Sequence, residues 1–99
     1  MNINKFRNFC EAISDGYINT NYYHNCIHAG DIAHTCYIYF KEGSINEKIG
    51  LNSKSLCALY LSCICHDYKH PGLNNNYLIE TKHPIAIKYN DNSVLENMH

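Results

Sequence analysis

Two short stretches hold the residues best suited to chemistry: His24-Asn25-Cys26-Ile27-His28-Ala29-Gly30-Asp31 and His66-Asp67-Tyr68-Lys69-His70-Pro71-Gly72. Imidazole and carboxylate groups bind borderline metal ions and move protons near neutral pH. Their recurrence in two clusters points to metal-assisted hydrolysis. In the first stretch His24 lies four residues before His28, and Asp31 three after it, so one helical face can carry all three. His24 is expected at a loop-to-helix junction with its ring aimed at the mouth of a site. His28 is then a ligand one turn in, and Asp31 the carboxylate that orients its imidazole. A local cap or salt bridge would account for Asp31 equally well.

The second stretch follows an apolar run. An aspartate there is costly to bury unless a cation compensates. His66 and Asp67 can meet one ion if the helix ends at that point. The second carboxylate oxygen can reach a neighbouring ion, which makes a two-metal site. His70, one turn on, can hydrogen-bond a metal-bound water. An ordinary helix terminus would explain His70 alone, but not the three residues together with the first cluster. Three ligands (His28, His66 and Asp67) call for a further carboxylate, for which Glu96 is the candidate; a plain surface position would suit Glu96 equally.

These groups need helices to hold them. Phe6, Phe9, Cys10 and Ile13 fall at helical spacing up to Asp15-Gly16. Residues 17–25 read as a polar, aromatic loop. The helical pattern returns over residues 26–40, with Ile27, Ile32, Cys36, Tyr37 and Phe40 as its apolar face. Residues 41–53, with Gly43 and Gly50, read as a connection holding at most a short turn. Residues 55–67 are the most apolar, and Leu56, Leu59, Tyr60, Cys63 and Ile64 suit a largely buried helix. Residues 69–76 are irregular around Pro71-Gly72 and three asparagines. Short helices are expected over residues 76–81 and 84–89, and from Val94 behind an Asn90-Asp91-Asn92-Ser93 cap. The fold class is all-α. A helix that opens at Val94 and stops at His99 implies further sequence downstream.

Ninety-nine residues make one small domain or part of one, and 45% hydrophobic content is that of a globular chain. Its core is small, so a metal site, a partner or further sequence is expected to contribute to stability. The net charge is −1 and Lys41, Lys48, Lys54 and Lys69 are scattered. That leaves no electrostatic footprint for nucleic acid or an anionic membrane. The six cysteines include no Cys-x-x-Cys pair, and read as reduced, buried thiols acting as small hydrophobes. No apolar stretch follows Lys5 and Arg7 as in a signal peptide. Residues 56–65, interrupted by Ser62, fall far short of the roughly 20 needed to cross a bilayer. A reducing, cytoplasmic setting is expected, barring an anchor outside this segment.

Three linked motifs resemble the catalytic domain of class I 3′,5′-cyclic nucleotide phosphodiesterases. They are Tyr23-His24-Asn25-x-x-His28-Ala29-x-Asp31, His66-Asp67-x-x-His70-Pro71-Gly72-x-x-Asn75 and Tyr89-Asn90-Asp91-x-Ser93-Val94-Leu95-Glu96-Asn97-x-His99. They cover nearly the whole chain in the right order, and are far more specific than the lone His-Asp pair of HD-type phosphohydrolases. The resemblance implies a multi-helix domain of which residues 1–99 are the amino-terminal part, truncated on its carboxy-terminal side. It implies hydrolysis of cAMP or cGMP to the 5′-monophosphate by a hydroxide held between two divalent ions, usually Zn²⁺ and Mg²⁺, with Mn²⁺ an alternative. By the same resemblance His28, His66 and Asp67 bind the first metal, and Asp67 also touches the second. His24 is the general acid for the departing ribose 3′ oxygen. His70 and Glu96 belong to the water shell of the second metal, and Asn75 and His99 line or support the same pocket.

The resemblance also implies that the missing carboxy-terminal part is required. The family's fourth ligand of the first metal, its purine-gripping glutamine and its aromatic clamp are absent here, so the segment does not specify cAMP or cGMP. Lys69 stands where the family usually has an acidic or small residue, and is expected to face solvent. Met98 stands where histidine is common. Three other readings compete. Another HD-type phosphohydrolase would have no need of the third motif. A non-catalytic metal-binding or interaction fragment would bind metal without turnover. A cysteine-rich zinc protein would depend on Cys63 and Cys65 rather than His28.

Overall fold

A computed structural model describes residues 2–99; Met1, where the amino-terminal reading begins, lies outside them. Neutral asparagine amides start most of the longer helices. Helix α1 (Ile3–Gly16) begins behind Asn2, whose Oδ1 accepts from the N–H groups of Asn4 and Lys5. Helix α2 (Cys26–Lys41) begins behind Asn25, which serves Ile27 and His28 in the same way. Helix α3 (Ile45–Ile49) occupies the connection expected to hold only a turn. Asn52 caps α4 (Ser53–Cys65) and Asn74 caps α5 (Asn75–Glu80). Helix α6 (Pro84–Lys88) opens on a proline, and α7 (Val94–Met98) completes the order. Each cap supplies an acceptor to N–H groups that have no partner within the helix.

The described residues are helical with no strand, so the all-α expectation holds. One cap differs. Ser93 sits at the start of α7 in a left-handed conformation, and its side chain caps nothing. The Leu95 N–H is instead accepted by Oδ1 of Asn75, at the start of α5. A side chain from another helix has replaced the local signal.

Packing divides into two groups. Leu78, Ala86, Val94 and Leu95 form a small core where α5, α6 and α7 meet, with Leu73, Ile79, Ile85 and Met98 against it. Met98 therefore serves this apolar cluster. The other group is α2 against α4. The covered side of α2 runs through Ala29, Ala33, Cys36 and Phe40. Ile27, Ile32 and Tyr37, expected on the apolar face, are exposed. Small residues let α4 approach closely, and the larger ones were displaced outward.

Helix α4 is not largely buried as its composition suggests; none of its residues reaches full burial. Only one of its sides meets α2. Its other side borders an open apolar groove of about 420 Å³ shared with Phe6. The radius of gyration, 16.1 Å, reflects this openness, since a compact chain of this length has about 13 Å. The six cysteines are free thiols, each partly covered rather than buried. No helix among the described residues is long and apolar enough to cross a membrane.

Candidate metal centre

The carboxy-terminal end of α4 faces the start of α2, and the two histidine stretches meet there. His66 caps α4, and its Nδ1 lies 2.8 Å from the Cys63 carbonyl. A carbonyl only accepts, so Nδ1 carries the proton and Nε2 keeps its lone pair. That lone pair faces Asp67 Oδ2 at 3.0 Å, and His28 Nε2 approaches the same oxygen at 3.5 Å. The side chains of His28 and Asp67 are only 13% and 15% exposed. Asn25 places His28 by accepting its N–H, and the Tyr23 ring leans on the His28 ring with centroids 4.3 Å apart.

Two donor groups arise, each with ligand atoms within 4.8 Å of one another: His28, His66 and Asp67, and His24, Asp67 and His70. Asp67 belongs to both. The donors fit a divalent ion: ligands about 2.1 Å from zinc lie about 3.0–3.4 Å apart, close to the 3.0 and 3.5 Å separations here. The backbone carbonyl behind His66 is the usual outer partner of a ligating imidazole. No cysteine joins either group among the described residues, which leaves the cysteine-zinc reading without a site.

In the second group His70 differs from a free ligand. It is buried, and its Nδ1 accepts the Gly72 N–H at 3.0 Å. Burial first, then the neighbouring His24, holds its pKa below the usual histidine range. The neutral ring therefore carries its proton on Nε2, where it is a donor to water rather than a metal ligand. Its ring stacks on His24 with centroids 3.8 Å apart and planes 7° off parallel, and His99 lies over it at 5.4 Å.

A residue missed in the sequence holds this stack. Asn21 sits in the loop before α2, and its Nδ2 donates to the carbonyls of both His24 (3.0 Å) and His70 (2.8 Å). The amide thus clips the two histidine loops together. Gly72 passes close beneath it at φ +75°, and a Cβ there would collide with the Asn21 side chain. Gly72→Ala should therefore destabilise the protein by about 2–4 kcal/mol, from left-handed strain plus the displaced clip. Gly50 is a control: it also has positive φ, at +70°, but nothing within reach of a Cβ. Gly50→Ala should show only the backbone part, about 1 kcal/mol. Chemical denaturation of both variants checks this, and equal losses would rule out the collision with Asn21.

Around the second group lies a cleft of about 410 Å³ lined by His24, His70, Gly72, Leu73, Asn75 and Glu96, among others. Asn75 Nδ2 donates to the Glu96 carboxylate at 3.0 Å, which holds its pKa below the usual range. Glu96 is thus brought to the cleft as the partner of Asn75 and belongs to neither donor group. Asp31 is exposed on α2, with no hydrogen bond or ion pair to His28 among the described residues. Lys69 is exposed, and its Nζ lies over the Tyr68 ring, 5.5 Å from the centroid. A second missed residue, Tyr17, is buried at 4% exposure although it opens the segment that reads as a loop. Its only sequence signal is an aromatic residue directly after the helix-ending Gly16.

Comparison with known proteins identifies a family. Residues 23–99 match the profile of the 3′5′-cyclic nucleotide phosphodiesterase family. The chain is 46% identical over 97 residues to 3′,5′-cyclic-AMP phosphodiesterase 4 of Dictyostelium discoideum, covering 98% of this chain and 9% of that protein. It is 43% identical over 93 residues to the human dual specificity calcium/calmodulin-dependent 3′,5′-cyclic nucleotide phosphodiesterase 1C, covering 92% of this chain and 13% of the relative. It is also 43% identical over 83 residues to cGMP-specific 3′,5′-cyclic phosphodiesterase alpha of Plasmodium falciparum, covering 84% of this chain and 8% of the relative. The chain thus spans about a tenth of the length of these relatives. With both histidine motifs inside the matched region and converging on one shared aspartate, the chain belongs to the 3′,5′-cyclic nucleotide phosphodiesterase family.

Proposed function

We propose that the full-length protein hydrolyses 3′,5′-cyclic nucleotides to 5′-monophosphates, with residues 1–99 forming the amino-terminal part of its catalytic domain. The observation that carries this reading is Asp67, which lies within ligand reach of His28 and His66 on one side and of His24 and His70 on the other. The relatives are named for cAMP, for cGMP and for both, so the substrate class is the cyclic nucleotide without a stated preference.

His28, His66 and Asp67 would hold one divalent ion, and Asp67 with surrounding waters would help hold a second. Zn²⁺ suits the first, nitrogen-rich position and Mg²⁺ or Mn²⁺ the second. When bound, the pair supplies charge neutralisation for the phosphodiester and a water of lowered pKa. The chain's own residues do the rest. His66 keeps Nε2 free for a ligand bond because Cys63 holds the proton on Nδ1. His24 hands an imidazole proton to the departing ribose 3′ oxygen, so that no bare alkoxide leaves. His70 would offer its Nε2–H to waters at the second position, and its stacking on His24 keeps that ring at the cleft. Asn75 and Glu96 form the polar wall opposite, and His99 covers the outer side of His70. Asp31 lies on the outer face of α2, where it would act on His28 only through water. A reducing, cytoplasmic setting belongs to the same proposal.

The test is hydrolysis of cAMP and cGMP by the full-length protein before and after chelator treatment. At least one substrate should give its 5′-monophosphate, activity should vanish with the metal, and added Zn²⁺ with Mg²⁺ should restore it. Turnover that survives complete metal removal would refute the reading.

A further inference from the structure

The hydroxyl of Tyr17 lies under the metal centre and has no part in the chemistry above. In a helix that ran on past Cys65, the Asp67 N–H would donate to the Cys63 carbonyl, four residues back. That carbonyl is already taken by Nδ1 of His66 at 2.8 Å. The Asp67 N–H turns to the Tyr17 hydroxyl oxygen at 3.3 Å instead, and the same hydroxyl donates its own proton to the Ile64 carbonyl at 3.0 Å. The Cys65 carbonyl accepts from the Tyr68 N–H at 3.0 Å. Every carbonyl from Cys63 to Cys65 thus finds a partner, though not the one a continuing helix would give it.

We propose that Tyr17 is a positioning residue for the metal centre: its hydroxyl ends α4 at the register that frees the Cys63 carbonyl to orient His66 and aims Asp67 at both donor groups. The proposal rests on the reading of His66 and Asp67 as metal ligands. Removing the hydroxyl leaves the Asp67 N–H and the Ile64 carbonyl unpaired in a half-dry site. The nearest remedy is for the Asp67 N–H to recover the Cys63 carbonyl. The Asp67 N–H then competes with the His66 ring for that carbonyl, which loosens the hold on its Nδ1–Nε2 axis, and Asp67 turns along the extended helix. The fit around Tyr17 is specific. Gly16 has no Cβ because the Tyr68 ring occupies that space, and Tyr68 meets Tyr17 edge-on with centroids 6.4 Å apart. Tyr17 also lies outside the matched family region, residues 23–99.

The test is Co²⁺ binding to the metal-stripped full-length protein, read from visible absorption, for wild type and for the Tyr17→Phe, His66→Ala and Ile13→Val variants. Tyr17→Phe keeps the ring and should weaken Co²⁺ binding about tenfold, as the loss of an outer partner of a metal ligand does. The absorption band should also shift, because the His66 ring turns. His66→Ala should remove that site's signal. Ile13→Val trims a side chain lining the same cavity as Tyr17; it should lower the melting temperature and leave Co²⁺ affinity unchanged. Wild-type affinity and spectrum in Tyr17→Phe, with His66→Ala defective, would overturn the proposal and leave the metal centre standing. Equal binding by wild type and His66→Ala would overturn the metal centre and the proposal together. If Tyr17→Phe does not fold, hydrogen exchange at the Asp67 amide of the wild-type protein decides: protection supports the proposal, and exchange at an unprotected rate overturns it.

Discussion

Asp67→Ala in the full-length protein is expected to abolish metal binding and turnover together. Asp67 Oδ2 lies within 3.0 Å of His66 Nε2 and 3.5 Å of His28 Nε2, and the residue is shared with the second donor group. Its removal leaves this segment the imidazoles of His28 and His66 and no carboxylate shared by the two positions. In the proposed mechanism the paired ions would supply several kcal/mol of transition-state stabilisation, so turnover should fall by about three powers of ten or more. Metal analysis after gel filtration, beside an assay with cyclic nucleotide, checks both parts. Asp67→Asn separates charge from shape: it keeps a donor oxygen and should retain the fold, yet still lose most of the metal. A variant that kept full metal content and activity would end the two-ion reading.

His24→Ala should behave differently. The His24 ring stacks on His70 and lines the cleft, but it is absent from the group formed by His28, His66 and Asp67. Metal at that first position should therefore be retained, while turnover falls by about 10²–10⁴ as a proton donor is lost. A substrate analogue with a leaving group that needs no protonation should recover much of the rate. Loss of the first metal in step with activity would instead make His24 a ligand. The Asn21 clip gives an internal comparison, because it fixes the backbone of His24 through the carbonyl and leaves the imidazole nitrogens untouched.

Much of this arrangement is legible in the sequence, for reasons that differ from place to place. Helix starts are readable because Asn25, Asn52 and Asn74 cap locally, within three residues of the N–H groups they serve. The start of α7 at Val94 is legible too, but not what caps it, because the acceptor of the Leu95 N–H, Asn75, lies some twenty residues away. Composition likewise overstates the burial of α4: Leu56, Leu59 and Ile64 are apolar, yet α2 covers only one side of the helix. The ligands are legible since chemistry restricts their types and the helix restricts their spacing. Their supports are not. Asn21 looks like one more loop asparagine, and Tyr17 like a loop aromatic, until the folded chain brings His70 to the first and Ile64 and Asp67 to the second. A long-range hydrogen bond leaves no periodic trace.

The asparagine caps carry one more consequence, for behaviour in acid. A carboxylate cap is lost when it takes up a proton, and such losses account for much of ordinary acid unfolding. The amides at the starts of α1, α2, α4 and α5 have no proton to gain in that range. Falling pH therefore acts less through these caps than through the Glu96 carboxylate, whose pKa the Asn75 amide lowers. At any metal centre protons compete for the ligands while the amide caps still hold the helices that present them.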